Sequence, residues 1–179
     1  SGESANCASI INGFVSSGVD LILANATASL QAAQAGTTDI PILGTAVTDY
    51  GTALGIDDWT GTTGTNISGT ADLAPLDQQA AMLNELFPDA KTVGLLYCSA
   101  EPNSKYQIDT IKPMLEEKGY TCEEFAFADS NDVASVTTSA CAASDVIYIP
   151  TDNTAASCTE AIRNVVVPAK TPVVAGEQG

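Results

Sequence analysis

Short apolar runs alternate with amphipathic stretches along almost all of this chain, and that alternation is the signature of a mainly parallel β-sheet covered by helices. An α/β fold is the first inference. Ile10, Ile11, Phe14 and Val15 share one face of a helix predicted from about Ala5 to Ser17, with Gly18 as its stop. A strand is expected at Leu21 to Ala24, a helix from Thr27 to Gln34, and a strand at Ile42 and Leu43 behind Pro41. From Tyr50 to Ala74 the periodicity is lost and Gly, Thr and Asp dominate. We read this stretch as a loop leading into a crossover between two lobes, because so long a loop inside one compact domain is uncommon.

Past Pro75 the alternation is more regular. Helices are expected at Leu76 to Phe87, Ser104 to Lys118, Asn131 to Ala142 and Thr154 to Val165. Strands are expected at Thr92 to Cys98, Thr121 to Phe127, Val146 to Ile149 and Val173 to Ala175. The domain reading is therefore a partial first lobe at residues 1–70 with two strands, a near-complete second lobe at residues 71–172, and the start of a crossover back to the first lobe at residues 173–179.

Charge removes several function classes. The chain has 22 acidic against 6 basic residues, no histidine and a net charge of -16, which repels phosphate backbones and anionic lipid surfaces. Nucleic acid is excluded as a partner, and neither a membrane span nor a secretory leader pattern is present in the sequence. The 5 cysteines are odd in number and never spaced as CxxC, so no zinc site or dense disulfide scaffold is expected. We expect mostly buried thiols, leave one disulfide open, and expect no metal or cofactor.

Ligands of an open parallel sheet bind beyond the carboxyl ends of its strands, where helix N-termini present free N–H groups. The residues there are Asn25 and Thr27; Thr45, Thr48, Asp49 and Tyr50; Ser99, Glu101, Asn103 and Ser104; Thr151, Asp152, Asn153 and Thr154; and Glu177. This set is rich in hydroxyls, amides and carboxylates and has no cation. A zwitterion suits it: hydroxyls and helix N-termini hold a carboxylate while an acid pairs with an ammonium. Asp152 and Glu101 are the candidate ammonium partners, and Tyr50 and Trp59 the candidate apolar wall. The competing reading is structural, since Asn25, Ser104 and Thr154 stand where helix caps belong and Asp152 and Asn153 suit a turn. Catalysis has little support without histidine or a phosphate loop, and only Glu101 with Asp152 offers a carboxylate pair.

Five ordered motifs sit at these same loops: Val19-Asp-Leu-Ile-Leu-Ala-Asn-Ala-Thr27, Asp39-Ile-Pro-Ile-Leu-Gly-Thr-Ala-Val-Thr-Asp49, Val93-Gly-Leu-Leu-Tyr-Cys-Ser-Ala-Glu-Pro-Asn-Ser104, Ile149-Pro-Thr-Asp-Asn-Thr154 and Pro172-Val-Val-Ala-Gly-Glu177. In them the chain resembles the bacterial ABC transporter substrate-binding proteins typified by tryptophan- and tyrosine-type aromatic amino acid binders. The resemblance implies a type I periplasmic-binding-protein fold with two Rossmann-like lobes closing on a solute. It implies Thr27, Thr48 and Asp49 as first-lobe contacts, Ser99, Glu101, Asn103, Ser104, Asp152 and Asn153 as second-lobe contacts, and Glu177 at the returning crossover. It further implies an extracellular, cell-surface lipoprotein serving amino acid transport with an ABC permease, its lipid anchor lying outside this chain. Members of that family are commonly longer, so we expect the first lobe to be incomplete here and its exposed sheet edges to favour self-association. The alternative is the ligand-sensing domain of a regulator or receptor, followed by an enzyme using Glu101 and Asp152.

Overall fold

The computed structural model describes residues 4–177. Its chain divides after Leu73 into two compact units. The first contains α1 (Ser4–Ser17), β1 (Ile22–Asn25), α2 (Thr27–Gly36), β2 (Ile42–Val47), α3 (Tyr50–Leu54) and β3 (Ile67–Ala71). Its three strands lie in the order β1-β2-β3 and are parallel. Side chains alternate across the sheet: Ile22, Ala24, Ile42 and Val47 pack with Ile11, Leu30 and Ala33, while Leu23 and Leu43 lie exposed on the opposite side.

The sequence reading of this unit needs two corrections. Residues 50–74 are not one long loop, and the unit has three strands rather than two. The short helix α3 is set by its ends instead of by periodicity: the Asp49 carboxylate accepts from the Thr52 N–H at 2.7 Å, and Gly55 closes the helix in the left-handed conformation. In β3 only Ile67 is buried, so the strand has no apolar pattern of its own. Pairing recruits it, with Ile42 opposite Ile67 and Gly44 opposite Gly69.

That glycine pair has a purpose. Tyr50, at the start of α3, lays its ring over the two facing glycines, and a Cβ on either would run into its hydroxyl. Trp59 stacks on Tyr50, with ring centroids 6.3 Å apart and planes inclined by 17°. Tyr50 is therefore part of the core of this unit, and Trp59 is half-buried against it.

The second unit contains α4 (Leu76–Leu86), β4 (Thr92–Cys98), α5 (Pro102–Glu117), β5 (Thr121–Phe127), α6 (Val133–Ala143), β6 (Val146–Ile149), α7 (Asn153–Ser157), α8 (Thr159–Ala169) and β7 (Val173–Ala175). Its sheet is parallel throughout, in the order β5-β4-β6-β7. The two inner strands are buried on both faces, which is why each reads as an unbroken apolar run. One core holds Val93, Leu95, Tyr97 and Tyr148 against Ile108, Ile111 and Leu115. The other holds Leu96, Phe127 and Ile147 against Val133, Ala140, Ile162 and Val166.

Val173, Val174 and Ala175 form the expected strand and pair in parallel with Ile147, Tyr148 and Ile149 as the fourth strand of this sheet. One expectation changes here as well. The helix expected from Thr154 to Val165 is two helices, α7 and α8, which meet at Cys158. All five cysteines are free thiols. No described helix is long and apolar enough to cross a membrane, and the described residues contain no cluster of three potential metal ligands.

Candidate functional site

At the carboxyl end of the second sheet, the loop from β4 to α5 and the loop from β6 to α7 are laced together by side chains. Asp152 caps α7, its Oδ1 accepting from the Ala155 N–H at 2.8 Å. Its Oδ2 accepts from the Cys98 N–H at 2.7 Å, the last residue of β4. The Ser104 hydroxyl adds a further hydrogen bond. Asp152 is only 1% exposed. Burial pushes its carboxyl above the ordinary aspartate value, and the neighbouring Glu101 charge adds to this against the pull of the N–H donors.

Glu101 caps the same helix from the opposite loop. Its Oε1 accepts from the Thr154 N–H at 2.8 Å and the Thr154 hydroxyl at 2.6 Å. Its Oε2 accepts from the Asn153 N–H at 3.1 Å, the Asn153 amide at 2.8 Å and the Asn103 amide at 3.1 Å. Burial works against its charge, yet the donors from Thr154, Asn153 and Asn103 prevail and hold it below the ordinary glutamate range. A depressed folded pKa contributes stability that is present above the ordinary value of 4.5 and is lost as pH falls through the folded value. The raised pKa of Asp152 acts in the opposite sense, its contribution being lost as pH rises through the folded value. Urea unfolding of Glu101→Gln below pH 4.5 is therefore expected to fall less steeply with acid than wild type; an equal acid slope would refute the role given to Glu101.

The structure thus brings Ser99, Glu101, Asn103, Ser104, Asp152 and Asn153 to one edge, with differing exposure. Asn103 and Ser104 are buried, Glu101 and Thr154 half-buried, and Ser99 and Asn153 exposed. Ser99 donates both its N–H and its hydroxyl to the Phe127 carbonyl. Glu177 is exposed just past β7 and lines, with Ile149, Asp152, Ile162, Arg163 and Val173, a largely apolar groove of about 320 Å³. In the first unit Asn25, Thr27, Thr48 and Asp49 stand at the carboxyl ends of β1 and β2; Thr27 and Thr48 are buried, Asp49 half-exposed and Asn25 exposed. Tyr50 and Trp59 pack on each other.

Sequence reasoning missed three features. Gln79 in α4 accepts from the Tyr148 hydroxyl at 2.6 Å and donates to the Gly176 carbonyl at 3.0 Å, tying down the residue before Glu177. Gln107 in α5 is fully buried and holds the backbone of Thr151. Ala26 and Ala46, beside the ends of β1 and β2, have φ of 72° and 52°, a conformation costly for alanine and often found at functional loops. Only Gln107 left a signal: it lies on the same helical stripe as Ser104, Ile108, Ile111 and Leu115.

Parallel α/β units with polar residues gathered at their strand ends are the architecture of type I periplasmic binding proteins. An ABC domain from Streptococcus pneumoniae, solved in complex with L-Trp, superposes with a TM-score of 0.91 at 33% identity over 97% of this chain and 60% of that one. A leucine binding protein from Thermotoga maritima shares the fold, with a TM-score of 0.67 at 19% identity over 97% of this chain and 49% of that one. The model of the ABC transporter substrate binding protein family matches residues 1–179, and the chain belongs to that family. A tyrosine-binding protein of Clostridioides difficile (strain R20291) is 37% identical over 171 residues, 96% of this chain and 49% of the relative. The chain therefore spans about half the length of that curated relative.

Proposed function

We propose that the protein carrying this chain is the extracellular solute-binding component of an ABC importer. It captures a small zwitterionic solute, an aromatic amino acid foremost, and delivers it to an ABC permease. A cell-surface lipid anchor belongs to the same proposal. The observation that carries it is that, in a chain of this family, each unit taken by itself carries hydroxyl, amide and carboxylate side chains at the carboxyl ends of its strands. The named ligands of the relatives, tyrosine and L-Trp, suggest the solute class.

The geometry redistributes roles within the proposed set. Asp152 spends both oxygens on N–H groups and is nearly inaccessible, so it braces the loops instead of meeting an ammonium. Asp49 and Glu177 carry more accessible acids and are better placed for that contact. Ser99 and Asn153, both exposed, supply the hydroxyl and amide contacts, Thr27, Thr48 and Asn103 being buried, and the groove beside Glu177 suits an apolar side chain. No catalytic step is proposed.

A thermal-shift screen of the twenty amino acids against the whole protein tests this reading. Aromatic amino acids are expected to raise the melting temperature most, because a ligand that binds only the native state stabilises it. No shift with any amino acid would remove the proposal's support.

A further inference from the structure

The strand-end groups of the second unit depend on where residues 150–153 are held: Glu101 holds Asn153, Asn103 donates to the Thr151 carbonyl at 3.4 Å, and Gln107 alone of these takes both the N–H and the carbonyl of Thr151. Strand β6 ends at Ile149, so the backbone of Thr151 lies beyond the sheet ladder. Gln107 takes the place of a neighbouring strand. Its Nε2 donates to the Thr151 carbonyl at 3.0 Å while its Oε1 accepts from the Thr151 N–H at 3.2 Å. The second Nε2 proton goes to the Asn103 carbonyl at 3.1 Å. With no exposure to solvent, the amide is locked in this orientation, since turning it over would set oxygen against two carbonyls.

The consequence reaches the edge proposed to meet solute. Thr151 is followed at once by Asp152 and Asn153, whose bonds to Cys98, Ala155 and Glu101 hold only if the loop keeps its place. We infer that Gln107 is a positioning residue for solute capture: it does not reach the solute, but its paired hydrogen bonds to Thr151 preset the β6–α7 loop so that Asn153 and its neighbours need no reordering on binding. This rests on the solute-binding reading above.

Gln107→Glu separates positioning from mere packing, because it keeps shape and volume. As a carboxylate it sets a second oxygen against the carbonyls of Thr151 and Asn103. Once protonated, its O–H donates to the Thr151 carbonyl and its C=O accepts from the Thr151 N–H, restoring the pair. Glu101 on the β4–α5 loop and Asp152 on the β6–α7 loop are the nearby acids, and their charge favours that protonation.

Measured on the whole protein, affinity for the amino acid bound best by wild type is expected to fall about tenfold in Gln107→Glu at about pH 8. It should return toward the wild-type value at about pH 5, each pH being compared with wild type. Unchanged affinity at the higher pH, or a loss that persists equally at the lower, overturns the inference. Hydrogen exchange supplies a readout independent of solute and of the variant's folding: the Thr151 amide of wild type should be protected like the core amides of β6, and fast exchange there also overturns it. If wild type captures no amino acid, the functional proposal falls, and Thr151 exchange alone decides whether Gln107 holds the loop.

Discussion

Asp152→Ala is expected to lower the stability of the second unit by about 3 kcal/mol. The side chain satisfies the Cys98 N–H, which ends a central strand, and the Ala155 N–H, which starts a helix. Truncation leaves both donors without their acceptor at a place 1% exposed, where water cannot readily enter. Asp152→Asn should lose less, about 2 kcal/mol, because its one carbonyl oxygen can serve one donor while its NH₂ faces the other. Urea unfolding followed by far-ultraviolet circular dichroism measures both. An alanine variant within about 0.5 kcal/mol of wild type would show that this carboxylate does not brace the two loops.

Gly69→Ala should damage the first unit as heavily. The added methyl would meet the Tyr50 hydroxyl and the carbonyl of Gly44 on the adjacent strand. Tyr50 cannot withdraw freely, because Trp59 is stacked against it, and a backbone carbonyl within a sheet yields little. Overpacking of this kind is expected to cost about 3 kcal/mol and to disturb the pairing of β2 with β3. Trp59 is the chain's one tryptophan, so its fluorescence reports this unit directly. Gly13→Ala is the control: apart from the helix's own backbone, nothing lies within 4 Å of its added methyl, and in the middle of α1 the change should stabilise by about 0.5–1 kcal/mol. Equal effects of the two substitutions would rule out the close approach as the cause.

Which parts of this molecule were legible beforehand follows from what fixes each of them. The inner strands β4 and β6 are apolar on both faces, so their sequences alone mark them. Strand β3 is held by its neighbour and by a tyrosine lying over two glycines, neither of which writes a pattern into residues 67–71. Helix α3 is too short for periodicity and is made by the Asp49 cap and the Gly55 stop. The terminal strand β7 was legible as an apolar run of three residues, Val173 to Ala175, but so short a run does not say which neighbour it pairs with.

At the candidate site, chemical type was readable and role was not. Glu101 and Asp152 were both visible as acids beyond strand ends. Whether an acid meets a solute or holds a loop depends on where the neighbouring N–H groups point. Here Asp152 faces inward to Cys98 and Ala155, and Glu101 spans to Asn153 and Thr154 on the other loop. Gln107 was the most readable of the omissions, a polar residue on the buried stripe that carries Ile108, Ile111 and Leu115, which had to find partners inside the protein.

The central claim, that this family member takes a zwitterion, is tested most directly by calorimetric titration of the whole protein with L-tyrosine and L-tryptophan beside their N-acetyl and carboxamide derivatives. The free amino acids are predicted to bind, and blocking either charged end is predicted to weaken binding by at least about a hundredfold, since each removes a charge-assisted contact from a desolvated site. Equal affinity for free and blocked forms, or heat only from an uncharged solute, would contradict the account.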